Sequence, residues 1–361
     1  MSSADLLLVG GGHTHLHVVT RAAELRAAGY RVRLLAPATF TYSGVASATA
    51  AGSMPAAVGT VDVSALTRAH GVEHVEATLV GLDLETRRAT TSTGAVLPYD
   101  VLSLNLGSVV APHEMDIDPV VVRVKPLADL VALDGRLRSV PGQRAVVTVV
   151  GGGATGLEMA AHLSRRDDVA LVRIVESGPR LGPDLPAGAR RRLLRLLAER
   201  GVELHVGRCV AAIEATRLRC EDGSVLEHDV ALLATGLVAP PLVAGLGLGS
   251  DAGVPVRATL QHRERDEVYA VGDCAQFLPS PLPRVGVHGV RQAPVLVDSL
   301  LARRAGTQLP VYEPQRHALA VLDLGGGVAL AVRGRWWFYG VPALRLKRWL
   351  DRRWLRRYTA G

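Results

Sequence analysis

Short apolar runs closed by glycine clusters punctuate the chain. Leu6-Leu7-Leu8-Val9 leads into Gly10-Gly11-Gly12-His13-Thr14-His15, and Val146-Val147-Thr148-Val149-Val150 leads into Gly151-Gly152-Gly153-Ala154-Thr155-Gly156, 141 residues later. A helical stretch and a further strand (residues 31–36 and 171–176) follow each cluster, which predicts two strand–turn–helix–strand units. Near the carboxyl end the period changes. From a start near Pro342, and at about 100° per residue, Arg345, Arg348, Arg352 and Arg356 fall on one helical face and Ala343, Leu346, Leu350 and Trp354 on the opposite one. Residues 230–250 carry no charge, but Pro240-Pro241 and the glycines around them argue against a membrane span.

The glycine clusters carry a chemical expectation. In such a turn the first glycine bends the chain, the second lets a pyrophosphate approach the backbone, and the third packs helix on strand, while the helix N-terminus stabilises the phosphate charge. One such motif is weak; two in the same context point to two bound dinucleotides. In the second copy Glu176 ends its strand about 20 residues after the glycines, where a carboxylate accepts hydrogen bonds from a ribose 2′-hydroxyl. That favours NADH over NADPH, with Arg173 and Arg180 as the nearby residues that would suit a 2′-phosphate. The first copy has Ala36 in place of the acid and His15 in place of the third glycine.

With 361 residues and 48% hydrophobic content, the chain has material for two or three domains. Lysine occurs only as Lys125 and Lys347 and asparagine only as Asn105, so a retained lysine draws attention in an arginine-rich chain. Cys209, Cys220 and Cys274 show no CxxC or CxxxxC spacing and are read as inert thiols, although Cys209 and Cys220 could meet across a hairpin. His13, His15 and His17 lack acidic or cysteine partners nearby, and no metal site is assigned. The first residues do not have the pattern of a signal peptide, which suggests an intracellular protein.

Further motifs resemble one family. Leu104-Asn105-Leu106-Gly107-Ser108 and Leu232-Leu233-Ala234-Thr235-Gly236 resemble the two strand-to-loop segments of pyridine nucleotide-disulfide oxidoreductases, and Tyr269-Ala270-Val271-Gly272-Asp273 resembles their flavin-binding GD motif. Thr41-Tyr42-Ser43-Gly44, Val124-Lys125-Pro126, Gly289-Val290-Arg291-Gln292 and Lys347-Arg348-Trp349-Leu350-Asp351 are similar to the selenophosphate-synthetase-associated branch, akin to type II NADH dehydrogenases. The resemblance implies an α/β protein with two Rossmann-like, three-layer nucleotide-binding domains. An FAD domain (1–112 and 239–304) is interrupted by an NAD(P) domain (120–238), and a C-terminal extension (305–361) follows. Pro112, Pro119 and Pro126 mark the outward crossing and Pro240-Pro241 the return.

The resemblance also implies roles. FAD goes to the first unit, with Gly10, Gly12, His13, Tyr42, Ser43, Gly107, Gly272 and Asp273. NAD(H) goes to the second, with Gly151, Gly153, Gly156, Glu176 and Gly236; NADP(H) is the less favoured donor. Glu158 is matched by a glutamate near flavin and nicotinamide, and as an ordinary first-turn acid it would also complement the helix dipole. Lys125 reads either as a cation near the flavin, paired with a carboxylate, or as a solvated loop lysine.

A nicotinamide meeting a flavin passes it a hydride, so the expected function is an FAD-dependent NAD(P)H dehydrogenase. No cysteine lies near Tyr42-Ser43-Gly44, which excludes a dithiol relay there. Val287-His288-Gly289-Val290-Arg291-Gln292 aligns with the quinone-site pattern AQxAxQ, making His288 and Gln292 candidate donors to a quinone-like acceptor. A soluble reductase serving a protein or biosynthetic partner, or a redox-responsive flavoprotein without turnover, are the alternatives.

Residues 333–361 hold nine Arg or Lys against one Asp, a net +8, whereas the rest of the chain sums to −1. All four tryptophans, Trp336, Trp337, Trp349 and Trp354, lie there too. A basic, aromatic, amphipathic helix suits the cytoplasmic face of an anionic membrane, with a core-packed helix bearing a solvated arginine face as the other reading. Nucleic acid ranks third because no binding fold is recognised. On the membrane reading, removing residues 341–361 should spare flavin reduction.

Overall fold

The computed structural model describes residues 3–111, 114–140, 142 and 144–359. Both apolar runs become central strands, buried on both faces as parallel strands between layers must be. The first unit comprises β1 (Ala4–Val9), α1 (His13–Thr20), β2 (Tyr30–Leu35), β3 (Glu73–Val75) and β4 (Val101–Leu104). The second comprises β5 (Val122–Arg123), β6 (Ala145–Val150), α2 (Ala154–Leu163), β7 (Val169–Glu176), β8 (Glu203–Val206) and β9 (Val230–Leu233). The chain then adds β10 (Val268–Ala270) and α3 (Gly286–Ala305) and closes with β11 (Ala320–Asp323), β12 (Ala329–Arg333), β13 (Trp336–Gly340) and α4 (Val341–Leu355).

Two five-stranded parallel sheets result, ordered β10-β4-β1-β2-β3 and β5-β9-β6-β7-β8. Each places its fingerprint strand third, between the strand after its own helix and a strand that arrives later. The sheets are thus two copies of one Rossmann-like design. The first is completed only by β10, after the second has been built. The outward and return passages lie side by side, Val109–Val110 pairing antiparallel with Leu237–Val238, and Ala111 N–H donates to the Gly236 carbonyl. Pro112 lies outside the described residues.

Separate apolar cores sit on the two sheets, and the carboxyl-terminal segment touches both. One face of the β11-β12-β13 sheet sends Leu322, Leu330 and Val332 into the second core, while the other packs Ala329 and Ala331 on Ala343 and Leu344 of α4. Farther along α4, Trp354 and Leu355, with Tyr358 beyond it, join the first core.

The helix expected near Pro342 is therefore α4, but its buried arc is rotated from the expected one. Ala343, Leu344, Lys347, Trp354 and Leu355 are buried, whereas Leu346 and Leu350 are only half-buried. Lys347 and Asp351, one turn apart, pair at 3.1 Å and so allow a charged stripe to face inward. Residues 230–250 fold into β9, a link strand and a short helix, and among the described residues no helix is long and apolar enough to cross a membrane.

Candidate functional site

The first glycine turn opens onto a cavity of about 480 Å³. Gly10 has φ +92°, and a Cβ there would run into the Asn105 carbonyl oxygen, so the turn and its close approach to the β4 loop both require glycine. The cavity extends from Leu35, Ala36 and Pro37 at the end of β2, past Gly10, Gly11 and Gly12, to Ser43, Lys125, Gly272 and Asp273. Gly107, at φ +73° with open space where a Cβ would lie, lines it as well. Asn105 is held by its Nδ2 donating to the Val271 carbonyl at 2.9 Å, and its buried Oδ1 has no partner among the described residues. The sequence marks Asn105 by its rarity and as part of the strand-to-loop segment of residues 104–108; its place beside Gly12 comes from the fold.

Charge in this cavity is concentrated at one end. Asp273 Oδ2 accepts from Lys125 Nζ at 2.6 Å and from Ser108 Oγ at 2.8 Å, and Lys125 Nζ also donates to Ser108 at 2.9 Å. Burial pushes the Asp273 carboxyl up, but the Lys125 ammonium and the two hydrogen bonds outweigh it and hold the group below its ordinary value. Lys125 is thus a carboxylate partner rather than a solvated loop residue. Ser108, which nothing in the sequence assigned, bridges the pair. Arg284 fixes the loop behind them by donating to the carbonyls of Asp273, Leu237, Asp251 and Ala252.

His15 explains how the first turn does without its third glycine. At the equivalent place in the second unit, a Cβ on Gly156 would strike the Gly151 carbonyl oxygen. In the first unit His15 Nδ1 donates to the matching Gly10 carbonyl at 2.7 Å, and Nε2 accepts from Ser103 Oγ at 2.8 Å. Burial pushes its pKa down to about 4, so the ring stays neutral and this tautomer satisfies both partners. His13, also pushed down to about 4 by burial, lines the cavity among the rings of Phe40, Tyr42 and Trp354.

Three expected residues turn away from the cavity. Tyr42, assigned to the flavin, stacks on Trp354 at 4.3 Å and donates its hydroxyl proton to Asp351 at 3.0 Å. It is not among the lining residues, although its neighbour Ser43 is. His288, a candidate quinone donor, is buried with Nδ1 2.9 Å from the Tyr312 hydroxyl; Gly286 and Gly289 are the α3 residues that face the cavity. Gln292 is also buried, and its Oε1 accepts the Gly272 N–H at 2.6 Å, supporting the GD turn from behind.

The second turn is built more regularly. Gly151 has φ +111° and abuts the Ala234 carbonyl, and Gly153, Ala154 and Thr155 leave the N-terminus of α2 open to solvent. Glu176, at the end of β7, accepts backbone N–H groups from Gly152 at 2.6 Å and Gly178 at 2.7 Å. Its carboxylate is thereby fixed beside the turn with lone pairs to spare. Arg173 is drawn away to Glu203 at 2.6 Å and to the Glu227 carbonyl, whereas Arg180 is exposed. Gly236 is exposed on the return passage.

Glu158 stands apart from Asp273. It leaves α2 toward Ser47, whose hydroxyl donates to Oε2 at 3.1 Å, and toward the Asp323 backbone N–H, which donates to Oε1 at 2.7 Å. Burial pushes its pKa up to about 7 against the opposing influence of Lys347. Cys274 is buried and its thiol is pushed up to about 11 by burial, and all three cysteines are free.

Residues 4–296 match the pyridine nucleotide-disulphide oxidoreductase family. The chain belongs to that family. An NADH dehydrogenase-like protein of Mycobacterium tuberculosis is 31% identical over 196 residues, 50% of this chain and 49% of the relative. Type II NADH:quinone oxidoreductase of Haemophilus influenzae is 30% identical over 150 residues, 37% of this chain and 34% of the relative. The aligned part thus spans half or less of these curated relatives. NDH2 from Plasmodium falciparum, solved in complex with NADH, has a TM-score of 0.82 over 98% of this chain and 96% of its own, at 13% identity, a likeness of fold. The selenophosphate-synthetase branch is narrower than anything these matches carry.

Proposed function

We propose that the chain is an FAD-dependent NADH dehydrogenase that delivers electrons to a quinone-like acceptor. One observation carries the reading: two glycine turns, on two sheets that share the order of four of their five strands, with a large cavity under the first that ends in an ionised carboxylate held by a lysine. FAD belongs to the unit of residues 1–112 and 239–304, and NADH to residues 120–238. The cavity residues fit a flavin dinucleotide. Gly10, Gly11 and Gly12 leave the start of α1 clear for a pyrophosphate, Asn105 Oδ1 is an acceptor still lacking a donor, and Asp273 offers a carboxylate to hydroxyl groups. The bound flavin supplies the two-electron chemistry that no side chain here could perform.

The protein's own residues bind and orient. Lys125 and Ser108 keep Asp273 ionised and aimed, and Gln292 holds Gly272 in place. Glu176 presents a carboxylate to the ribose of the donor. Glu158, with a pKa near neutrality, holds or releases a proton at its carboxyl oxygens. Supporting the acceptor reading is the matched quinone oxidoreductase. The internal engagement of His288 and Gln292 favours the second reading, a reductase whose acceptor is a protein partner.

Association with the cytoplasmic face of an anionic membrane fits the outer surface of the tail. Trp336 and Phe338 project from the free edge strand β13 on the side that α4 covers, and Trp349 is exposed on α4 among Arg345, Arg352 and Arg353. The test is turnover. FAD-loaded protein given NADH and a panel of quinones should reduce at least one class of quinone; flavin reduction without any quinone turnover would favour the protein-partner reading.

A further inference from the structure

The first nucleotide cavity has an unexpected neighbour in the last helix of the chain. His13, the first residue of α1, sits among three rings, with centroid separations of 5.1 Å to Phe40, 5.7 Å to Tyr42 and 4.9 Å to Trp354. Trp354 comes from α4 and lies nearly flat on Tyr42, their planes 12° apart. The same helix supplies Asp351, whose Oδ1 accepts the Tyr42 hydroxyl proton and whose Oδ2 pairs with Lys347. Lys347 donates onward to the Gly44 carbonyl. The contacts that leave α4 reach residues 42–44 and the start of α1. His13, Phe40 and Ser43 are cavity-lining members of this group.

A buried Lys–Asp pair holds α4 in place no better than well-packed apolar residues would. What it adds is direction: the ammonium is aimed at one carbonyl and the carboxylate at one hydroxyl, which fixes the backbone and ring positions of residues 42–44. The stacked Trp354 then limits where His13 can sit. We infer that α4 buttresses the flavin site from behind, with Asp351 and Trp354 as positioning residues that, through Tyr42, hold the cavity-lining His13 and Ser43 in the shape the dinucleotide needs. The inference rests on the flavin reading of the cavity. It reverses the expectation that the tail is dispensable for flavin chemistry.

The test titrates FAD into flavin-free, full-length protein, following fluorescence and the visible absorption band, for the parent, Trp354→Ala, Trp354→Phe and Asp351→Asn. Trp354→Ala should weaken FAD binding about tenfold, because binding must then order the Tyr42 and His13 side chains that the stack no longer holds, and shift the flavin band at saturation. Trp354→Phe should restore most of both. Asp351→Asn, which preserves packing, should shift the band with a smaller loss of affinity, and it reads the same question if Trp354→Ala does not fold. A merely structural role would lower the melting temperature of the flavin-free variants while leaving the saturated spectrum unchanged, and that result would overturn the inference. Parental affinity and spectrum in Trp354→Ala and Asp351→Asn would do the same while leaving the flavin reading intact. A parent that binds no FAD would remove both.

Discussion

Small differences between equivalent positions carry much of the chemistry. Gly156 in the second turn admits nothing larger than hydrogen, whereas His15 in the first fills that place with a neutral ring that bonds the equivalent carbonyl, that of Gly10. Asp273→Ala would leave Lys125 and Ser108 without their shared acceptor and remove a charged partner for the flavin. Such a hydrogen bond is worth about 1.5–3 kcal/mol, so FAD affinity measured by titration should fall about ten- to a hundredfold. Glu176→Ala should narrow the preference for NADH over NADPH in stopped-flow reduction; a parent protein that uses both donors equally would assign the site to Arg180 instead. Glu158 makes a pH prediction. Burial raises its folded-state pKa to about 7, so the folded protein holds that proton more tightly than the unfolded chain, and its contribution to stability is lost as pH rises through about 7. Glu158→Gln carries no such charge. Its melting temperature should therefore gain on the parent's between about pH 5 and pH 8, and a constant difference across that range would contradict the assignment.

Elements differed in how far local sequence revealed them. The two strand–turn–helix units were legible because an apolar run followed by glycines depends on neighbours only a few residues away. Asp273 was legible as well, through its place after an apolar strand, but the Ser108 bridge and the orphaned Asn105 oxygen depend on β4, the crossing segment and the GD turn meeting in space. The α4 helix was legible as a helix with an arginine face. Its buried arc was not, because Lys347 and Asp351 read as solvent-facing charges until Gly44 and Tyr42, some 300 residues earlier, are brought alongside. The outward surface keeps its own prediction. If Trp336 and Trp349 dock on a membrane, Trp336→Ala/Trp349→Ala protein should lose cosedimentation with acidic vesicles at low salt while keeping its flavin. Parental binding should fade as salt rises, since each well-placed basic residue contributes about 1 kcal/mol through a screened attraction. Equal binding to neutral and acidic vesicles would remove the electrostatic part of that reading.

Two sheets of one design, an interrupted first unit and a tail that reaches both cores make the protein a frame for holding two dinucleotides. The outward and return passages pair as a short antiparallel link, and the β11-β12-β13 sheet with α4 spans from the second core back to the first. Such a frame has a clear purpose if electrons pass from the donor in the second unit to the flavin in the first. Anaerobic mixing of FAD-loaded protein with NADH, followed at the visible flavin band, measures that passage directly. The account predicts rapid loss of oxidised-flavin absorbance at a rate that saturates with NADH, before any acceptor is added. A flavin band that keeps its full absorbance in excess NADH would contradict it.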